Sequence, residues 1–232
     1  MNDFRLYDHC LTPKEIEEWS RGLMLHYPLR DSSLQNTTNY VPYPTYKKAY
    51  ANSTWNATLH PDAIEVTSYY SQGYNGGVGS PATGYHAYWK MVDDEPTMVF
   101  QDLNSEYGNK HRWLGISVSS DISNYVTAIG AGKKYTISFE AKSDTVDKVV
   151  NVGLYYAKSG TTDRAFHDGT KNFYLTTEWK RYSYTFTLGS SINFDQSSSI
   201  YVYGHYGTPE GVAWVRRLQL EANDHATDYT IG

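Results

Sequence analysis

The sequence has a single cysteine, Cys10, among its 232 residues, so no disulfide can form within the chain. This excludes the small secreted domains that disulfides hold together. Only 19% of the residues are charged, the formal net charge is −5 and no block of like charges occurs, so neither nucleic acid nor a membrane is expected as a partner. No apolar run reaches membrane-spanning length, and no signal peptide is expected.

Sequence motifs for catalysis and metal binding are also lacking. The chain contains no GxSxG and no HExxH, and the glycine-rich stretch 73–79 lacks the residues of a phosphate loop and is predicted to be a turn. The eight histidines do not cluster at metal-ligand spacing. Glycoside hydrolysis needs two carboxyl groups facing across one cleft, and the sequence places no two of its acids in that way. We therefore predict no catalytic residue and no cofactor, and leave open a structural calcium ion with unknown ligands.

Tyrosine is abundant, with 23 residues, and apolar and polar residues alternate in many short stretches. This pattern predicts an all-β fold, an antiparallel β-sandwich (jelly roll). Residues 42–56 are predicted to be a loop because Pro42 and Pro44 cannot lie in a central strand. The predicted strands are 63–69, 85–92, 97–103, 112–119, 134–142, 149–157, 180–188, 199–206 and 212–221.

Alternation within the strands predicts which side chains form the core. In 134–142 and in 180–188 one row of side chains is large and apolar, whereas the other row is mostly polar. We expect the apolar rows to lie between the two sheets. They include Tyr135, Ile137, Phe139, Tyr182, Tyr184 and Phe186.

Several other strands carry aromatic side chains on their second face, which points to carbohydrate binding. Tyrosine and tryptophan rings can stack on sugar rings, and neighbouring Asn and His side chains can bond to the hydroxyl groups. The alternative is that these rings support loops or pack beneath another element, as many must in a chain with 16% aromatic residues. The candidate carbohydrate-binding residues are Trp113, Tyr203, Tyr201, Tyr155, Tyr88, His111, His205 and Asn151.

The first 31 residues are predicted to form a separate strand–helix–strand element. Thr12 can cap a helix that starts at Pro13, and Glu15 completes a capping box. A polar connector follows, which predicts a domain boundary between residues 31 and 32 and a single sandwich over 32–232. The helix has one apolar stripe, so we expect the element to dock on a neighbouring subunit in a homo-oligomer.

Two stretches resemble known families. Residues 2–20, which include DFRLYDHCLTPKEIEEW, resemble the closing strand and helix of bacterial and phage LamG-like (concanavalin A-type) domains. Residues 36 to about 229 resemble the jelly-roll carbohydrate-binding modules of CBM4/9 type found in phage tail and prophage structural proteins. Four segments carry this second resemblance: NTTNYV (36–41) as the opening strand, GKKYTISFEAKSD (132–144), WKRYSYTFTL (179–188) and AWVRRLQLEANDHATDYT (213–230). Asn223 replaces the glycine usual in the last motif.

The second resemblance implies a non-catalytic receptor-binding protein of a phage or prophage tail that recognises glycans on a bacterial surface. It implies bacterial surface polysaccharide or cell-wall glycan and other tail proteins as partners, and a homo-oligomer, most simply a trimer. Such a protein is made in the bacterial cytoplasm without a signal peptide and acts outside the cell as part of the virion. Two alternatives stay open: a glycoside hydrolase or depolymerase acting on cell-wall polysaccharide, and a structural collar protein without a ligand.

Overall fold

The computed structural model divides the chain into two units, residues 1–37 and 38–232. The first unit lies outside the described residues, so the strand–helix–strand element and the boundary between residues 31 and 32 stay predictions. The described part contains no helix, and thus none long and apolar enough to cross a membrane. The described residues are 38–41, 43–49, 62–66, 70–75, 85–102, 111–117, 132–157, 163–189, 199–204 and 210–231.

Thirteen strands in the described part form two sheets in which every pairing is antiparallel. They are β1 (Tyr46–Ala49), β2 (Ala63–Val66), β3 (Tyr70–Asn75), β4 (Tyr85–Val92), β5 (Glu95–Asp102), β6 (His111–Ser117), β7 (Lys134–Ser143), β8 (Val149–Ala157), β9 (Arg164–Phe166), β10 (Lys171–Tyr174), β11 (Lys180–Thr187), β12 (Ser199–Gly204) and β13 (Gly211–Glu221). The seven-stranded sheet has the order β1-β2-β4-β5-β13-β7-β11. The six-stranded sheet has the order β10-β8-β12-β6-β3, with β9 also paired to β8.

The core lies between the two sheets and is formed by inward-facing side chains of both sheets. Ile137 and Phe139 of β7 are buried in the same cluster as Val150 and Val152 of β8. Burial of each such side chain contributes roughly 1.5–3 kcal/mol to folding. On the edge strand β11 only Phe186 of the predicted row is buried, and the two tyrosines before it are half-buried. The predicted all-β antiparallel sandwich is confirmed.

All nine predicted strands are present, but four strands were missed and three local predictions are wrong. β1 lies within the predicted loop 42–56; it starts after Pro44 at the edge of its sheet, where a nearby proline is tolerated. β3 extends into the stretch 73–79 that was predicted to be a turn. Residues 38–41, expected as an opening strand, are not in a strand, although the Tyr40 N–H donates to the Leu220 carbonyl at 2.9 Å.

Buried polar side chains hold the segment 222–231 against β13. The Glu221 side chain is fully buried, and its carboxylate accepts hydrogen bonds from the Thr227 N–H (2.9 Å), the Thr227 hydroxyl (2.7 Å) and the Gln219 amide (2.9 Å). Asn39 donates to the Thr230 carbonyl at 2.8 Å. Since buried polar groups need partners, this network accounts for the positions of Gln219, Glu221, Thr227 and Thr230 at the end of the chain.

Candidate functional site

Four aromatic side chains form one cluster on the outer face of the six-stranded sheet. We call this cluster the aromatic platform: Tyr155 on β8, Phe166 on β9, and Tyr201 and Tyr203 on β12. The rings of Tyr155 and Tyr201 stack, with centroids 4.9 Å apart and planes 19° apart. The Phe166 ring lies 4.9 Å from Tyr155, 5.9 Å from Tyr201 and 5.8 Å from Tyr203. All four side chains are half-buried, so each also presents surface to solvent.

Strand register places these rings on the face opposite the core. Val150, Val152 and Leu154 of β8 point inward, so the alternate residues of β8 point outward. Tyr201 pairs with Gly153 on one side and with Gly115 on the other, so no side chain flanks it in its own row. Tyr203 pairs with Asn151 of β8 on one side and with Trp113 of β6 on the other. By this register, Tyr203 lies in a row of backbone positions that crosses β8, β12 and β6.

Uncharged polar groups of the described residues lie beside the platform. The Asn151 amide N–H donates to the side-chain carbonyl of Asn172 on the neighbouring strand β10. Burial, followed by the neighbouring Tyr201 and Tyr155, raises the pKa of the Tyr203 phenol above its ordinary value, so Tyr203 is neutral at physiological pH. Flat rings with amide groups at one side match the apolar faces and the hydroxyl groups of a sugar.

The structure brings together four of the eight predicted site residues, namely Asn151, Tyr155, Tyr201 and Tyr203. The backbones of His111 and Trp113 lie on β6 of the same sheet, two residues apart and so on the same face. Their side chains, and the whole of His205, lie outside the described residues. The part that these residues play in binding stays a prediction.

Tyr88 does not belong with this group. It lies on β4 in the seven-stranded sheet, where its side chain is 8% exposed and packs with Ala63 and Val99. Burial and the nearby Asp62 raise the pKa of the Tyr88 phenol to about 12. Alternation predicted correctly that Tyr88 faces away from the core side of its strand, but alternation does not indicate which sheet the strand joins.

Sequence reasoning missed three residues on this face. Phe166 is part of the platform, Asn172 pairs with Asn151, and Tyr174 is 63% exposed and lies opposite Val149. They belong to β9 and β10, which have three and four residues. Strands of that length are too short to show alternation. The adjacent aromatic residues Phe173 and Tyr174 were the one feature of the sequence that could have indicated a strand there.

Two acidic side chains of the seven-stranded sheet, Glu95 and Glu140, form ion pairs with arginines. Glu140 accepts from Arg216 (3.1 Å) and Arg217 (2.9 Å), and Arg217 also donates to Glu95 (2.9 Å). Consecutive arginines can share one carboxylate because β13 has a bulge here, with Arg217 at φ 53°. The hydrogen bonds to Glu95 and Glu140 raise the pKa of the Arg217 guanidinium above its ordinary value. These carboxylates thus form a structural network, not an open pair across a cleft.

The described residues contain no group of three or more His, Cys, Asp or Glu side chains that could hold a metal ion. The ligands of a structural calcium ion therefore stay unidentified.

The sequence matches a family model for the stretch that builds the platform. The model of CBM_4_9, a carbohydrate binding domain, matches residues 103–209, just under half of the chain. This stretch contains β6 to β12, and hence every residue of the aromatic platform. The stretch is therefore similar to this carbohydrate-binding family, and the match supports carbohydrate binding as the function. No curated protein matches the chain.

Solved structures resemble the chain only distantly. A putative sugar binding protein from Bacteroides thetaiotaomicron is 12% identical, with 80% of this chain and 100% of that chain covered and a TM-score of 0.47. A CBM4 structure is 14% identical, with coverage of 77% and 100% and a TM-score of 0.45. The enzymatically active domain of tailspike protein 4 of bacteriophage CBA120 is 6% identical, with coverage of 76% and 21% and a TM-score of 0.44. None of these similarities carries an argument about function.

Proposed function

We propose that the protein binds carbohydrate on the aromatic platform and does not cleave it. The observation that carries this proposal is the cluster of four half-buried rings on one outer sheet face, inside the stretch that matches a carbohydrate-binding family. Core packing does not account for the cluster, because the inward rows of β8 and β12 already fill the space between the sheets.

Sugar rings would lie on the exposed parts of the tyrosine and phenylalanine rings. Tyrosine side chains have few rotatable bonds, so stacking a sugar on them costs little conformational entropy. The Asn151–Asn172 amide pair lies one strand away from Tyr203 and offers donors and acceptors to sugar hydroxyls. The described side chains of this site are four aromatic rings and two amides, so we expect affinity to depend little on salt concentration.

A panel of soluble polymers tests this proposal. Affinity electrophoresis would use mixed-linkage β-1,3-1,4-glucan, xylan, hydroxyethylcellulose and purified bacterial surface polysaccharide. We expect at least one polymer to retard the protein equally at low and high salt, with no reducing ends released on long incubation. Release of reducing ends would establish the hydrolase alternative instead. Retardation by none of the polymers would leave the structural collar as the better explanation.

We further propose that the protein is a receptor-binding component of a phage or prophage tail and that its ligand is a glycan of the bacterial surface. The resemblance of residues 2–20 and 36–229 to domains of phage and prophage proteins supports this proposal. On the same grounds we propose that its partners are other tail proteins and that it acts outside the cell as part of the virion. In this view residues 1–31 assemble the subunits into a trimer, and the sandwich binds the host.

Light scattering on the full chain and on a chain lacking residues 1–31 tests the assembly. We expect the full chain to have the mass of three subunits and the shortened chain that of one, because the amphipathic helix is predicted to lie at the subunit contact. The shortened chain should keep its affinity for a single soluble glycan but bind whole cells more weakly, since avidity is lost. A monomeric full-length protein would contradict the proposed assembly.

A further inference from the structure

The edge of the six-stranded sheet is interrupted beside the aromatic platform. β9 and β10 both pair antiparallel with β8, and the last pair of β9 is Phe166 with Tyr155. The first pair of β10 is Lys171 with Val152. Residues 167–170, four in number, therefore stand opposite the two residues 153 and 154. We call residues 167–170 the edge bulge.

Phe166, the last residue of β9, and His167, the first residue of the edge bulge, point to opposite faces of the sheet. Phe166 points outward and joins the platform. His167 is only 8% exposed and points inward, with its ring 5.1 Å from the ring of Phe186. Its backbone N–H donates to the Leu154 carbonyl at 2.9 Å.

The ring of His167 ties the edge bulge to the opposite sheet. Its Nε2 lies 2.7 Å from the carbonyl oxygen of Thr187, at the end of β11. A carbonyl oxygen only accepts, so Nε2 must carry the proton that is donated. The bulge is thus fixed by one backbone bond within its own sheet and by one side-chain bond to the other sheet.

Gly153 fixes the edge bulge from the platform side. A Cβ atom at this position would lie 2.9 Å from Cδ1 of Phe166, 3.1 Å from Cγ2 of Thr170 and 3.3 Å from the carbonyl oxygen of Gly169. Real Cβ atoms essentially never approach another heavy atom as closely as the first of these distances. Phe166 therefore rests directly on the backbone of β8, and only glycine leaves room for it.

We propose that His167 is the positioning residue of the platform: it holds the edge bulge so that Phe166 forms a wall at one side of the glycan-binding face. This inference rests on the proposed carbohydrate binding. His167 itself does not touch the ligand, since it lies on the core side of the sheet. It acts through Phe166, in the way that a supporting residue fixes the orientation of a binding side chain.

Three variants test the inference. His167→Ala removes the hydrogen bond to the Thr187 carbonyl. Gly153→Ala adds a Cβ atom that displaces the Phe166 ring from the backbone of β8. His167→Gln supplies an amide N–H that can still donate. The exposed His225, on the segment after β13, gives the matched control His225→Ala. The readouts are the near-UV circular dichroism of the stacked tyrosines, the melting temperature, and the dissociation constant for the polymer of the panel that retards the wild type.

We expect His167→Ala and Gly153→Ala each to reduce the near-UV signal and to weaken polymer binding by roughly five- to tenfold, the effect of one displaced ring. His167→Gln should keep most of the near-UV signal and most of the affinity. His225→Ala should change neither the signal nor the affinity. The double variant His167→Ala/Gly153→Ala should bind no more weakly than the worse single variant, because both act on the same ring.

A purely structural histidine would give a different result. If His167→Ala lowers the melting temperature while the near-UV signal and the affinity are unchanged, the inference is wrong. Should His167→Ala fail to fold, Gly153→Ala and His167→Gln decide the question by the same readouts. If the wild type binds no polymer, the proposed function fails, and the near-UV signal still shows whether His167 positions Phe166.

Discussion

Replacing Tyr201 and Tyr203 together with alanine should weaken carbohydrate binding by up to about a hundredfold while leaving the sandwich folded. Each lost stacking surface costs on the order of 1–2 kcal/mol, which is about tenfold in affinity. The centroids of the two rings are 6.2 Å apart, so the rings interact. The combined loss of affinity should therefore fall somewhat short of the product of the two single losses. Both side chains lie on the outer face, so their truncation opens no cavity in the core. Affinity electrophoresis with the polymer panel measures the loss.

The matched control is Tyr201→Phe/Tyr203→Phe, which keeps both rings and removes only the hydroxyl groups. We expect it to stay within about threefold of the wild type if stacking dominates binding. The melting temperature of both double variants should lie within a few degrees of the wild-type value. Unchanged affinity in a folded alanine double variant would place the binding site elsewhere on the molecule.

Glu221→Ala should lower the free energy of unfolding by about 3 kcal/mol, the largest stability loss that we expect from a single polar residue here. The change removes the buried carboxylate that accepts from the Thr227 N–H, the Thr227 hydroxyl and the fully buried Gln219 amide. For a domain of this size the melting temperature should fall by about 6–12 °C. Differential scanning calorimetry or a urea titration followed by circular dichroism measures the effect.

The exposed Glu178, in the turn before β11, provides the matched control, and Glu178→Ala should shift the melting temperature by about 1 °C or less. Glu221→Gln keeps one acceptor oxygen and should lose roughly half as much stability as the alanine variant. Equal melting temperatures for Glu221→Ala and Glu178→Ala would show that the segment 222–231 contributes nothing to folding.

The sequence was sufficient to predict the sandwich because its central strands are long enough to alternate. β7 and β8 have ten and nine residues, and over that length the order of apolar and polar residues alone indicates which side chains are buried. The strands that were missed, β1, β3, β9 and β10, have six residues or fewer and carry no long apolar row. The conformation of an edge or bulged strand depends on its pairing with a neighbouring strand, and the residues of the strand alone do not predict that pairing.

Half of the candidate site could be predicted for the same reason, and the rest depends on sheet order. Alternation placed Asn151, Tyr155, Tyr201 and Tyr203 outward, and the pairing of β8 with β12 then brought them together. It placed Tyr88 outward too, but β4 joins the other sheet. Phe166 could not be predicted as a platform residue, because its position depends on the edge bulge and on the missing side chain at Gly153.

The attachment of residues 38–41 to β13 has a mechanical consequence. Asn39 and Tyr40 bind the backbone of Leu220 in β13. This strand pairs with β5 over Gly211–Val215 and with β7 over most of Ala213–Glu221. If the platform holds a glycan as proposed, tension arriving along the chain at residue 38 is therefore passed to a central strand. Such a strand can leave its sheet only if two ladders of hydrogen bonds shear together, whereas an edge strand can be peeled away one bond at a time. If the platform binds a glycan as proposed, a pull between residue 38 and the glycan thus loads a strand that has partners on both sides.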